Sequence, residues 1–158
     1  MSSLFIHAGP VRSAVHALKY HGTDRVARVL APRMAALLPA DASALVPVPR
    51  SLFRRIRFGV DAGRVLAHEV SRWAGLPVAD VLRAPVHHRS QLRLRRSDGL
   101  RFRLVDRPPR RAVLIDDVLT TGATLGAAAA ACRGSISRAV TMTRSPVTVS
   151  VDSPRHMS

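Results

Sequence analysis

Apolar positions along the chain fall into two patterns, helical spacing and short unbroken runs, which together predict helices alternating with buried strands. Val11, Ala14, Val15 and Leu18 recur at helical spacing. A second helix is predicted from about Val26 to Leu38, behind the cap-like pair Thr23 and Asp24, with Pro32 inside it as a point of division. Ala44 to Val48 (ALVPV) reads as a buried strand that stops at Pro49, and Arg50 opens the loop beyond it. From Asp61 to Trp73, the residues Ala62, Val65, Leu66, Val70 and Trp73 share one helical face, with Asp61 available as N-cap. Gly75 and Pro77 end that helix, and Val78 to Leu82 reads as another strand.

Arg83 to Arg111 is polar and Arg-rich, a loop-like insertion with room for a weak hairpin. The strongest pattern follows it: Ala112 to Ile115 (AVLI) as a buried strand, Asp116 to Gly122 as a loop, and Thr124 to Cys132 as an Ala-rich helix closed by Gly134. Ala139 to Met142 makes a last strand, and residues 145–158 carry too little apolar content to pack, which predicts a disordered tail. Strands alternating with helices imply an α/β fold with a parallel sheet and flanking helices. Ligands of such sheets bind at the carboxyl ends of the strands, which directs attention to the loops after Val48 and Ile115.

Composition narrows the picture. A chain of 158 residues fits one domain. Its apolar runs all fall short of the roughly 20 residues of a membrane span, and Met1 to Pro10 lacks the pattern of a secretory signal, so a cytoplasmic protein is expected. The single cysteine, Cys132, excludes an internal disulfide or a thiolate metal cluster within this chain. The 25 basic against 10 acidic residues give a formal charge of +15, which favours phosphate-bearing partners without selecting among them. Lys19 is the only lysine, a skew that reflects genome composition as much as function. Aromatic residues are 4% of the chain, too few for an extended base-stacking platform.

The segment Val113 to Thr124 (VLIDDVLTTGAT) carries the candidate chemistry. Gly122 lets backbone approach an anion, and the N–H groups at the helix start, with the helix dipole, favour a phosphate. Thr120, Thr121 and Thr124 add hydroxyl donors. Asp116 and Asp117 are suited to accepting hydrogen bonds from vicinal hydroxyls or to holding a hydrated Mg²⁺. Ribose 5-phosphate presents both kinds of group. Paired acids also occur as plain strand ends, but two acids directly after an apolar strand and before Thr-Thr-Gly-x-Thr form a longer and more specific pattern.

On these residues the chain resembles the ComF (GntX-like) branch of the type I phosphoribosyltransferase superfamily. Further matches are Leu18 to Gly22 (LKYHG), Val46 to Pro49 (VPVP), Gly63 to Ala67, Arg89-Ser90-Gln91 and the closing strand through Arg144, so the likeness covers residues 11–144. It implies a phosphoribosyltransferase-like domain over residues 1–144, Asp116 and Asp117 as catalytic residues on the ribose hydroxyls and the Mg²⁺, and a 5-phosphate cradle of Thr120, Thr121, Gly122, Ala123 and Thr124. It also implies a pyrophosphate loop near Arg50. Two departures stand out: no cysteine zinc module is present, and the family's Arg-Gly-Phe-Asn-Gln stretch appears as Arg57-Phe58-Gly59-Val60-Asp61. His87 and His88 read as exposed loop residues rather than as a general base.

Two functions remain open at this level. One is an Mg²⁺-dependent transferase that moves phosphoribose from phosphoribosyl pyrophosphate to a nitrogen nucleophile. The other is a non-catalytic ComF-like protein that acts in DNA uptake and competence through its basic surface. A degenerate copy without activity is an intermediate case, and the oligomeric state is not encoded legibly.

Overall fold

The computed structural model describes residues 1–6, 23–49, 61–84, 101–119 and 121–144. In chain order the elements are β1 (Ser2–Ile6), α1 (Thr23–Ala35), β2 (Leu45–Pro47), α2 (Ala62–Ala74), β3 (Leu82–Arg83), β4 (Arg103–Leu104), β5 (Ala112–Leu119), α3 (Ala123–Ala131) and β6 (Ile136–Arg144). The expected helix at Val11 to Leu18, the matches at 18–22, 57–60 and 89–91, the two loop histidines and the tail lie outside the described residues.

Four strands form a parallel sheet in the order β1-β6-β5-β2. Val78 extends it past β2 through a parallel bridge to Leu45, with Leu45 N–H donating to the Pro77 carbonyl and Ala79 N–H to that of Leu45. The α/β class and the parallel sheet with helices on its faces are therefore as the hydrophobic pattern predicts. On one face Ala27, Ala31 and Met34 of α1 and Leu66, Ala67 and Val70 of α2 pack on Leu45, Val113, Ile115, Val140 and Met142. On the other, Leu125, Ala128 and Cys132 pack on Val46, Leu114 and Ala139, joined by Leu82 and Leu104 of the antiparallel β3–β4 pair. Nearly all these side chains are fully buried, and burial on this scale is the main favourable term in folding.

The direction of the crossovers locates the binding crevice. From β2 the chain passes through α2 and returns outside β2, at Val78. From β5 it passes through α3 and returns on the opposite side, at β6. The two helices accordingly lie on opposite faces, and β2 and β5 are the neighbours between which the winding reverses. Such a switch point leaves a crevice outside the carboxyl ends of its two strands.

Several elements differ from the sequence-based expectation. α1 runs through Pro32 undivided, because a proline removes only its own N–H, and Ala36 N–H still reaches the Pro32 carbonyl at 3.1 Å. Residues 78–82 are not one strand: Val78 bridges to β2, while Leu82 leaves the main sheet to pair with Leu104. This antiparallel pair brackets the insertion in which a weak hairpin was expected, and residues 85–100 between its strands lie outside the described residues. β1, which the residue pattern did not announce, takes its place beside β6 and is fastened by Ser3 Oγ to Thr141 Oγ1 at 2.6 Å. Trp73, expected on the buried face of α2, is exposed; Ala62, Leu66, Ala67 and Val70 carry that face instead.

Candidate functional site

β5 is longer than its apolar run. It continues past Ile115 through Asp116 and Asp117 to Leu119, paired with β6 as far as Arg144, so the two acids are strand residues rather than the loop expected of them. Pairing to β6 satisfies backbone groups there and holds both carboxyl groups buried at the carboxyl end of the sheet. Strict alternation is broken at this point. Val113, Ile115 and Val118 pack on the α1–α2 side, and Ala112, Leu114 and Leu119 on the α3 side, so the facing shifts by one residue across Asp116 and Asp117. Within the shift, Asp117 N–H donates to Asp116 Oδ1 at 2.8 Å, and the buried Thr143 hydroxyl donates to the Asp117 carbonyl at 3.4 Å.

Next comes the turn into α3. Gly122 is its N-cap with φ 79°, a left-handed conformation that glycine adopts without the steric cost of a Cβ. Thr121 Oγ1 accepts from Ala123 N–H at 3.4 Å, and Gly126 N–H closes the first helical turn on the Gly122 carbonyl. Gly122 itself has no side chain to cap with, and the first-turn N–H groups of an α-helix have no backbone partner inside the helix. Together with the helix dipole they form a site of positive potential, with the exposed Thr121, Ala123 and Thr124 around it. Thus Asp116, Asp117, Thr121, Gly122, Ala123 and Thr124 are brought together along one strand-turn-helix unit. Thr120 and Arg50 lie outside the described residues. The segment leading to Arg50 runs to the same edge, since Pro47 pairs with Ile115 and Val48 N–H donates to the Ile115 carbonyl at 2.9 Å.

The structure adds residues that the pattern had not marked as part of a site. A Cβ on Gly63 would stand 2.9 Å from the Val48 carbonyl oxygen and 3.6 Å from that of Ile115, so the first turn of α2 rests directly on the end of β2 and the middle of β5. Asp61, the N-cap expected, does not cap with its side chain; its Oδ1 lies 3.7 Å from that same point. Glycine inside a helix is costly, and that was the legible sign of close packing at position 63. Arg144 is exposed at the end of β6, in register with Leu119 and one residue beyond the buried Thr143. Among the described residues no group of three or more His, Cys, Asp or Glu is arranged to hold a metal ion.

The fold and site define an α/β domain with an acid pair and a glycine-led helix start at its switch point. No protein-family profile matches the chain. It is 33% identical over 92 residues to Competence protein F of Haemophilus influenzae, a match that covers 52% of this chain and 40% of that protein. The likeness supports a relationship to ComF-like proteins, and the chain spans less than half the length of this curated relative. Among the described residues no helix is long and apolar enough to cross a membrane.

Proposed function

We propose that the carboxyl edge between β2 and β5 binds phosphoribosyl pyrophosphate or a related phosphoribosyl ligand. The observation that carries this reading is the placement of Asp116 and Asp117 at the switch point, directly ahead of the left-handed Gly122 that opens α3. The N–H groups of that helix start take the 5-phosphate, with the hydroxyls of Thr121 and Thr124 beside them. The carboxylates accept hydrogen bonds from the ribose hydroxyls. Such an assignment uses each group for what it does best: donors toward the phosphate, acceptors toward the diol.

Two adjacent buried carboxylates suit Mg²⁺, which retains several waters and is held by one or two carboxylates together with ligand phosphates. Asp116 and Asp117 are the residues that would hold it, and when bound it would neutralise charge on a leaving pyrophosphate. On this reading the protein is a glycosyltransferase-class enzyme that passes phosphoribose to a nitrogen nucleophile in the cytoplasm. Asp116 and Asp117 then fix the ribose so that its anomeric carbon faces the acceptor.

Calorimetric titration of phosphoribosyl pyrophosphate with Mg²⁺ into the wild type and Asp117→Asn tests the reading. Binding by the wild type that the substitution weakens at least tenfold, about 1.4 kcal/mol, is expected. A folded wild type that takes up no heat would sink it. The likeness to Competence protein F and the charge of +15 favour a second reading, a non-catalytic role in DNA uptake. A gel shift with single- and double-stranded DNA that stays negative at low salt removes that one.

A further inference from the structure

A groove of about 580 Å³ runs along the outer side of α2, walled by α1 and by the edge from Val78 to Asp80. Arg64, His68 and Arg72 recur every four residues along α2 and so line one stripe of it, and Arg28 of α1 faces them. Two acids lie in the same groove, and each is held by two arginines. Glu69, nearly buried, accepts from Arg72 at 2.9 Å and pairs with Arg28 at 3.8 Å. Asp80 pairs with Arg64 and, at 3.4 Å, with Arg83.

We propose that this groove is a second anion site, shaped for the phosphate group of a small phosphorylated ligand and separate from the acid pair on β5. The lining sets three guanidinium groups, of Arg28, Arg64 and Arg72, against the carboxylates of Glu69 and Asp80, while Arg83 pairs with Asp80 from outside it, so the local charge is net positive and favours an anion. Each guanidinium has five donors in a rigid fork. Asp80 on Arg64 and Glu69 on Arg72 orient two of these forks and leave donors on their other edges, while Arg28 stands in a looser ion pair with Glu69. Arg28, Arg64 and Arg72 all remain substantially exposed, with side-chain accessibilities of 63%, 41% and 70%, so their remaining donors are within reach of solvent. The volume matches small-ligand sites rather than an extended polymer track. This assignment does not depend on the phosphoribosyl reading.

His68 lies on the groove stripe and reports on it directly. The full chain, carbon-labelled in its histidine rings and with His68 assigned through His68→Gln, is titrated with inorganic phosphate against sodium chloride of matched ionic strength. The expected result is a saturable shift of the His68 ring signals with phosphate alone. That shift persists in Asp117→Asn and weakens at least tenfold in the double variant Arg64→Gln, Arg72→Gln. Far-UV circular dichroism confirms that the variant is folded, and Arg28→Gln takes its place if it is not. Ring signals that follow ionic strength only, or a phosphate shift that survives loss of the arginines, overturns the proposal. Loss of the shift in Asp117→Asn assigns the phosphate to the β5 site and overturns it equally.

Discussion

The backbone N–H of Asp117 donates to Oδ1 of Asp116 at 2.8 Å, so the first of two adjacent acids orients the second from within the chain. Both carboxyl groups are buried at the end of β5, yet their surroundings divide the work between them. Asp116 spends one oxygen on its neighbour's backbone and thereby contributes to structure. The Asp117 backbone is fixed at both ends, its N–H by Asp116 and its carbonyl by Thr143, so its own side chain is presented from a rigid base.

Replacement of the two acids should therefore separate stability from binding. Asp116→Ala leaves a buried N–H without its acceptor and is expected to cost about 1–3 kcal/mol in urea denaturation. Asp117→Asn keeps shape and backbone contacts, so it should cost less stability than Asp116→Ala while phosphoribosyl pyrophosphate binding falls at least tenfold. A stability loss in Asp117→Asn equal to or greater than that in Asp116→Ala would contradict this division.

Trp73 is 63% exposed at the end of α2, next to Arg72. As the only tryptophan it makes intrinsic fluorescence a direct check of the packing. Emission of the native protein should lie close to that of free tryptophan, be quenched readily by iodide, and change little on unfolding. Trp73→Ala should alter stability by no more than about 0.5 kcal/mol, as surface substitutions away from special features do. A blue-shifted, protected emission would show the residue covered.

The same residue shows where the sequence was readable and where it was not. Periodicity places Trp73 on the face of Leu66 and Val70, but a face is wider than its contact, and α1 and the sheet cover only its middle. The alternation of helices and buried strands, the ends of α2, and the acid-acid-Thr-Thr-Gly unit were all visible, because each depends on local pattern and turn chemistry. The extension of β5 through Asp116 and Asp117 was not. Acidic residues are poor strand formers in isolation, and only pairing with Thr141 and Thr143 of a distant strand, itself flanked by β1, carries the strand onward. Strand order is likewise a tertiary property. The reversal that makes β2 and β5 neighbours emerges only once Val78 and β6 are seen on opposite sides.

Cys132 caps α3 and is fully buried against the sheet, and desolvation raises the pKa of its thiol above the ordinary value of 9.0. Ellman's reagent should label it only as fast as the protein opens, with the full rate reached in denaturant. The sign of the linkage follows from the direction of the shift. The unfolded thiol ionises first, so the contribution is complete below the ordinary value of 9.0 and declines as pH rises through the folded pKa. Cys132→Ala should lessen the alkaline loss of stability, as measured by unfolding midpoints from pH 7 upward. Rapid labelling of the native protein at neutral pH would be incompatible with this burial.

Gly63 links the frame to the site most tightly. A methyl group there would meet the Val48 carbonyl oxygen at 2.9 Å, with the Ile115 carbonyl behind it. Both are backbone atoms, one just past the end of β2 and one within β5, so no side chain can swing aside. Gly63→Ala would gain about 1 kcal/mol of intrinsic helix propensity if the position were open. Here the first turn of α2 must instead lift off β2 and β5, and overpacking of a tight contact costs about 1–3 kcal/mol. The net expectation is a lower unfolding midpoint. It is joined by weaker ligand binding, because the displaced turn borders the crevice beside Asp116 and Asp117. A variant as stable as the wild type would show that α2 does not rest on the backbone of these two strands. Loss of stability without loss of binding would show that the crevice tolerates its displacement.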